Sequence, residues 1–163
     1  MQISEKVTAL INEQINAELA SAYLYQGIAE YYAFAGYVGF AKWFKAQAKE
    51  EVEHAEKFID YLEEQGKKVL LSDIKAPSNE EYRDLREPLE IQLTHEEHVT
   101  ALIYGIVAQA KEERDYGTER FLDWYVKEQV EEEANARALL GEYDLAKEHG
   151  EVLHLDSKLG KRE

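Results

Sequence analysis

Two short acidic segments of this 163-residue chain contain side chains whose types and spacing could do chemistry. The segment KEEVEH contains Glu51 and His54, which are three residues apart, and KEQVEE contains Gln129 and Glu132 with the same separation. Residues three apart on a helix lie on one face. Each segment can therefore present two polar groups together to one partner.

Each segment also has a glutamate 33 residues upstream, because Glu18 precedes Glu51 and Glu96 precedes Gln129 by this distance. The two sets are offset by 78 residues, and three flanking pairs match at that offset: Leu24 with Leu102, Gly27 with Gly105, and Ile28 with Ile106. In a glutamate-rich chain, one matching hexamer could arise by chance. A chance match that also includes the upstream acids and their neighbours is much less common. The sequence therefore predicts a helix pair that is used twice, as in a bundle with two-fold pseudo-symmetry.

The upstream acids interrupt faces that are otherwise apolar. Glu18 lies between Ile15 and Leu19, and Glu96 is seven residues from Leu89 on the same face. Burying several carboxylates without partners would cost many kcal/mol and raise their pKa values until they became neutral. A divalent cation removes this cost because it holds carboxylates ionised at close range.

The donor set indicates which metals would suit such a site. Four acids and one imidazole supply mainly hard oxygen ligands with one nitrogen, a set that suits iron or manganese better than zinc or calcium. A single Glu-x-x-His pair is usually incidental, and the EEE run at 131–133 alone fits a solvated face. Tyr25, Tyr31 and Tyr32 are expected to be packing residues. The complete set at equal spacing, however, predicts a dinuclear metal site.

Composition narrows the possible functions. The net charge of −15, from 34 acids and 19 bases, disfavours nucleic acid and anionic lipid as partners and attracts cations, although it also fits a well-solvated helical surface. The absence of cysteine excludes disulfides, thiolate metal sites and a cysteine nucleophile. The opening MQISEKVTALINEQ lacks an apolar signal region, and no apolar run approaches a membrane span. We therefore expect a cytoplasmic protein without a membrane segment.

Apolar periodicity predicts four long helices and one short one. The first three helices are expected from Ser4 to about Ala35, from about Gly39 to Gln65, and from Pro88 to about Arg114. A turn at 115–118 is followed by the fourth helix, to about Glu148, and the short fifth helix spans 152–160. The long segment 67–86 makes sense if it climbs the bundle, so that the second and third helices run parallel. The prediction is an all-α single domain over residues 1–163, a four-helix bundle with one long crossover and a short C-terminal fifth helix.

With these elements assigned, the chain resembles the non-haem ferritins of bacteria and archaea. The similarity extends over nearly the whole chain, through INAELASAYLY, KEEVEHA, HEEHVT, WYVKEQVEEE and the closing LHLDSKLG. Ferritin-like di-iron proteins use one glutamate from each of two helices and Glu-x-x-His from the other two. The resemblance therefore implies a ferritin-like di-iron domain.

The resemblance also implies roles for individual residues. One iron would be held by Glu18, Glu51 and His54, with Glu51 bridging to a second iron held mainly by Glu96, with Gln129 and Glu132 alongside. Tyr25 matches a tyrosine beside the centre, and a third, more loosely held iron corresponds to Glu50, Glu128, Glu131 and Glu132. Because the second segment has lost its histidine and its bridging carboxylate, we expect the second iron to be held less tightly.

The implied function is iron storage with ferroxidase activity. Fe(II) would be oxidised by O2 or H2O2, and ferric mineral would be kept inside a hollow shell of 24 subunits. Haem is not expected, because bacterioferritins bind it through a methionine and the only methionine here is Met1. Two alternatives remain open, namely a di-iron peroxidase or oxygenase of the rubrerythrin-like type without storage, and a metal-free acidic scaffold. The remaining histidines are expected at the surface: His95, His98, His149 and His154.

Overall fold

Five helices build the structure, a computed structural model that describes residues 2–78 and 81–163. They are α1 (Glu5–Phe34), α2 (Val38–Glu64), α3 (Glu87–Glu112), α4 (Tyr116–Leu145) and α5 (His149–Leu159). The described residues contain no β-strand. None of the helices in these two ranges combines the length and apolar character needed to cross a membrane. The predicted all-α bundle with a short fifth helix is confirmed.

Local signals explain the ends of the first three helices. Ser4 is the N-cap of α1, and its Oγ accepts a hydrogen bond of 3.1 Å from the backbone N–H of Val7. Gly66 follows α2 with φ of +66°, a conformation that glycine adopts without a steric penalty. Pro88 lies in the first turn of α3, where its missing N–H is not needed.

The bounds of α4 and α5 differ from the sequence prediction. Residues 115–118 do not form a separate turn, because Asp115 is the N-cap of α4 and accepts a 3.0 Å hydrogen bond from Thr118 N. The helix therefore begins at the next residue. At the other end, Glu148 and Glu151 form a capping box, so α5 begins before residue 152.

The crossover between α2 and α3 runs along α1. At its beginning, Asn12 donates to Lys68 O at 3.1 Å and accepts from Leu70 N at 2.8 Å. At its end, Tyr32 OH donates to Leu85 O at 2.6 Å. Since the crossover starts beside the beginning of α1 and finishes beside its end, α2 and α3 start at the same end of the bundle and are parallel. Residues 79 and 80 of this crossover lie outside the described residues.

Two apolar clusters fill the interior on either side of the middle of the bundle. One contains Ile15, Phe58 and Leu122, and the other contains Ile28 and Phe44. The predicted polar residues of all four long helices fall between these clusters along the chain. Helical apolar spacing continues to Phe34, the last residue of α1, but this side chain is 97% exposed.

Helix α5 packs closely against the start of α2. A Cβ at Gly39 would lie 1.7 Å from the backbone oxygen of Asp156, so only glycine permits this approach. The Asp156 carboxylate also accepts a 2.9 Å hydrogen bond from Phe40 N. These contacts hold α5 against the start of α2.

Candidate metal centre

The four long helices bring six of the residues identified from spacing into one buried cluster. Each is at most 4% exposed, and the set comprises Glu18, Glu51, His54, Glu96, Gln129 and Glu132. Helix α1 contributes the first, α2 the next two, α3 the fourth and α4 the last two. The two copies of the repeated helix pair, α1 with α2 and α3 with α4, therefore direct their polar residues into one site.

The first group of potential ligands is Glu18, Glu51 and His54, with one donor atom from each residue within 4.8 Å of the others. His54 Nδ1 lies 3.2 Å from Glu51 Oε2 and 3.9 Å from Glu18 Oε2. Gln14 donates a 3.0 Å hydrogen bond to Glu18 Oε1, whereas the buried Glu18 Oε2 has no hydrogen-bond partner. A buried carboxylate oxygen without a partner, facing an imidazole and a second carboxylate, fits a bound cation.

The second group is Glu51, Glu96 and Glu132, whose donor atoms also lie within 4.8 Å of one another. Gln129 Nε2 donates to Glu96 Oε2 at 3.1 Å, and Tyr25 OH donates to Glu96 Oε1. Glu51 belongs to both groups, which is the placement that a bridging carboxylate requires. The structure thus places Tyr25 against this cluster and not only in apolar packing.

The electrostatics of the cluster favour a positive partner. Burial, and then the neighbouring Glu51 carboxylate, raises the pKa of Glu18 well above its usual value. Burial and Glu96 likewise raise the pKa of Glu51, and burial followed by Glu96 raises the pKa of Glu132 to about 8. A divalent cation would reverse these shifts, because it stabilises the ionised carboxylates.

Three of the four acids expected to form a third site are less buried than the central cluster, and Glu132 is the exception. They line part of a cavity of about 580 Å³ near the middle of α4, with Glu50 and Glu128 half-buried and Glu131 exposed. Glu128 Oε1 lies 3.7 Å from His54 Nε2. Glu132 belongs to the second ligand group and also lines this cavity, so it connects the two regions.

Several supporting residues were missed by sequence reasoning. Gln47 donates a 2.6 Å hydrogen bond to Glu132, and Gln129 Nε2 lies 3.2 Å from Thr100 Oγ1. A signal was present for the glutamines, because Gln14 and Gln47 each precede a clustered glutamate by four residues. No comparable spacing pointed to Thr100.

The expectation for the remaining histidines is wrong at one position. His95 is half-buried, with Nε2 2.7 Å from Ser21 Oγ and its ring 5.8 Å from that of Tyr25. Burial, and then the nearby His98, lowers the pKa of His95 to about 4. The other three are exposed: His98, His149 and His154. Met1, named above in connection with haem, lies outside the described residues.

A four-helix bundle with carboxylates and a histidine directed inward defines the class of ferritin-like carboxylate proteins. The comparison with protein families agrees with this class, because the family model for the ferritin-like domain matches residues 8–146 of this chain. The chain belongs to the ferritin family.

Individual relatives of this chain are bacterial and archaeal ferritins. A probable bacterial non-heme ferritin-like protein of Haemophilus influenzae is 38% identical over 97% of this chain and 96% of its own length. A bacterial non-heme ferritin of Bacteroides fragilis is 38% identical over 98% of this chain and 99% of its own. An open pore ferritin from the hyperthermophilic archaeon Archaeoglobus fulgidus has a TM-score of 0.96 and 40% identity, with 99% of both chains covered. The resemblance to non-haem ferritins is confirmed.

Proposed function

We propose that the protein stores iron, and that it oxidises Fe(II) at the buried cluster before storage. The observation that carries this proposal is the pair of three-residue ligand groups that share Glu51. Two adjacent cation positions with a common carboxylate allow two Fe(II) ions to be held side by side. The names of the bacterial relatives support iron as the metal.

The residues would divide between the two ions as follows. Glu18, Glu51 and His54 bind the first Fe(II), while Glu51 also reaches the second, which is bound by Glu96, with Gln129 and Glu132 alongside. Tyr25 holds one oxygen of Glu96, and Gln129 holds the other. The site supplies position and negative charge, and the redox chemistry belongs to the iron.

The electron balance of the proposed reaction needs two ferrous ions. Each Fe(II) loses one electron, and the two electrons with two protons reduce O2 to H2O2, or reduce H2O2 to two waters. The product is Fe(III), which carries more positive charge and hydrolyses to mineral. The acids of the third site would hold iron on its way from the centre: Glu50, Glu128, Glu131 and Glu132.

Storage requires a compartment that one bundle of helices cannot enclose. We propose a hollow shell of 24 copies, located in the cytoplasm, with ferric mineral inside. The similarity over nearly full length to ferritins, including the open pore ferritin of Archaeoglobus fulgidus, supports an assembly of this kind. A peroxidase or oxygenase without storage would have the same cluster but no need for an interior.

The test is an aerobic Fe(II) challenge followed by size exclusion, with iron and protein monitored together. Storage predicts that iron elutes with a large assembly at many ions per chain. Iron that stops at about two per chain would contradict storage and favour the enzyme alternative.

Variants test the site in the same experiment. Glu51→Ala should lose most of the rapid oxidation, because it removes the ligand common to both groups. Glu53→Ala is the matched control, since Glu53 is exposed on the same helix. Unchanged oxidation in a folded Glu51→Ala protein would contradict the assigned centre.

A further inference from the structure

The guanidinium group of Arg162 lies at one edge of the proposed third iron site. Arg162 Nη2 forms a 3.0 Å ion pair with Glu50 Oε1, and both side chains line the same cavity of about 580 Å³. Glu50 is one of the four acids proposed to hold the third iron. The charge of Arg162 therefore lies against a carboxylate that a cation at the third site would use as a ligand.

Three contacts hold Arg162 in this position. Besides the pair with Glu50, its Nη1 donates a 3.2 Å hydrogen bond to the backbone oxygen of Trp43, and its guanidinium lies 4.4 Å from the centre of the Trp43 ring. The close packing of α5 on Gly39 brings residue 162 to this wall. A side chain held by a carboxylate, a carbonyl and an aromatic face is a positioned group rather than a freely moving surface arginine.

The other cations of the cavity differ from Arg162. Lys158 forms a 2.8 Å pair with Glu142, outside the proposed ligand set, and Lys161 lines the cavity without an ion pair to Glu50 among the described contacts. Among the lysines and arginines of the described residues, only Arg162 forms an ion pair with one of the four acids proposed to hold the third iron. Lys161 therefore provides a matched comparison, because its removal changes the cavity charge equally without removing that pair.

We propose that Arg162 competes with Fe(II) for Glu50 and thereby weakens cation binding at the third site. A cation gains Glu50 as a ligand only when the guanidinium releases it, so part of the binding free energy is used to break the ion pair. The Trp43 ring and carbonyl keep Arg162 nearby, so it can pair with Glu50 again once the cation departs. The third site then passes iron onward instead of retaining it. This inference rests on the proposed third iron site.

The test uses Zn(II), which is redox-inactive, with the assembled full-length protein and calorimetric titration. We expect the third Zn(II) equivalent per chain to bind about fivefold more tightly in Arg162→Gln than in the wild type, which corresponds to a partly exposed ion pair. Lys161→Gln should change this affinity less than twofold. The first two equivalents should be unaffected in both variants.

A second measurement reports directly on Arg162. In a Trp124→Phe background, Trp43 is the remaining tryptophan, and its emission should change when the third equivalent displaces the guanidinium. The change should be much smaller in Arg162→Gln. An equal change in both proteins would overturn the displacement.

The outcomes separate this inference from the function on which it rests. If a third equivalent is present and is lost in Glu131→Gln, but has the same affinity in Arg162→Gln, the third site stands and the role of Arg162 is overturned. Equal tightening in Arg162→Gln and Lys161→Gln would also overturn it, since total charge would then explain the effect. If no protein binds more than two equivalents, the third site itself fails.

Discussion

Gln129 donates a 3.1 Å hydrogen bond to the Glu96 carboxylate, whereas the corresponding pair in the first half of the chain consists of two carboxylates. The 78-residue offset relates Glu18 to Glu96 and Glu51 to Gln129. Burial raises the pKa of both Glu18 and Glu96. The Glu51 carboxylate raises the pKa of Glu18 further, whereas hydrogen bonds from Tyr25 and then Gln129 partly offset the rise at Glu96. The amide thus satisfies Glu96 in the absence of metal, and it contributes no negative charge to the second group.

This difference predicts the effect of Gln129→Glu. The new carboxylate should tighten binding of the second cation at least several-fold, because it restores a charged oxygen donor. It should also lower the thermal midpoint of the metal-free protein, since Glu96 would lose a donor and gain a like charge. Zn(II) titration and thermal unfolding measure the two effects. Tighter binding without metal-free destabilisation would contradict the proposed electrostatics.

His54 is the only nitrogen donor in the two groups that share Glu51. We expect His54→Ala to weaken the first cation by at least tenfold, since even residues that only orient a ligand contribute this much. His98→Ala should leave binding unchanged, because His98 is exposed. The measurement is Zn(II) titration, and equal affinities in the two variants would remove His54 from the site.

The raised pKa of Glu132 gives the metal-free protein a characteristic pH dependence. Its folded-state pKa is about 8 against an ordinary value of 4.5, so between these pH values the folded chain binds a proton that the unfolded chain has lost. Stability should therefore fall as pH rises from about 4.5 to about 8. Thermal unfolding of metal-free Glu132→Gln should show a shallower decline across this window.

The control for this pH experiment is Glu112→Gln, which removes an exposed carboxyl on α3. It should leave the slope close to that of the wild type, because an exposed acid has nearly the same environment in both states. If both variants change the slope equally, then overall charge repulsion, and not the buried Glu132, sets the pH dependence.

Periodicity and spacing were sufficient to predict the bundle and the inward-facing acids. The acids were recognisable because Glu18 and Glu96 break apolar faces at matched positions. The bundle topology was predictable because a long crossover lets α2 and α3 run parallel. These are features of single helices and of the chain order. They are independent of which rotamer each side chain adopts.

Contacts between distant segments could not be predicted in this way. His95 was expected at the surface, but its partner Ser21 lies on another helix, 74 residues away. Arg162 follows α5, which packs on Gly39, and its ion pair with Glu50 joins distant segments of the chain without any periodic signature. Phe34 follows the apolar spacing of α1 as its last residue, yet its side chain is exposed.

The packing of α5 provides a final prediction that connects fold stability to the third site. In Gly39→Ala, the new Cβ would meet the Asp156 oxygen at 1.7 Å, so α5 must move. We expect a loss of about 1–3 kcal/mol in unfolding free energy, typical of forced overpacking. Gly141→Ala is the control, because a Cβ there meets nothing within 4 Å, and alanine should stabilise α4 by up to about 1 kcal/mol. Thermal unfolding measures both changes.

If moving α5 also draws Arg162 away from Glu50, the third Zn(II) equivalent should bind more tightly in Gly39→Ala, as in Arg162→Gln. A destabilised Gly39→Ala protein with wild-type affinity at that site would show that Arg162 holds its position through Trp43 and Glu50 alone.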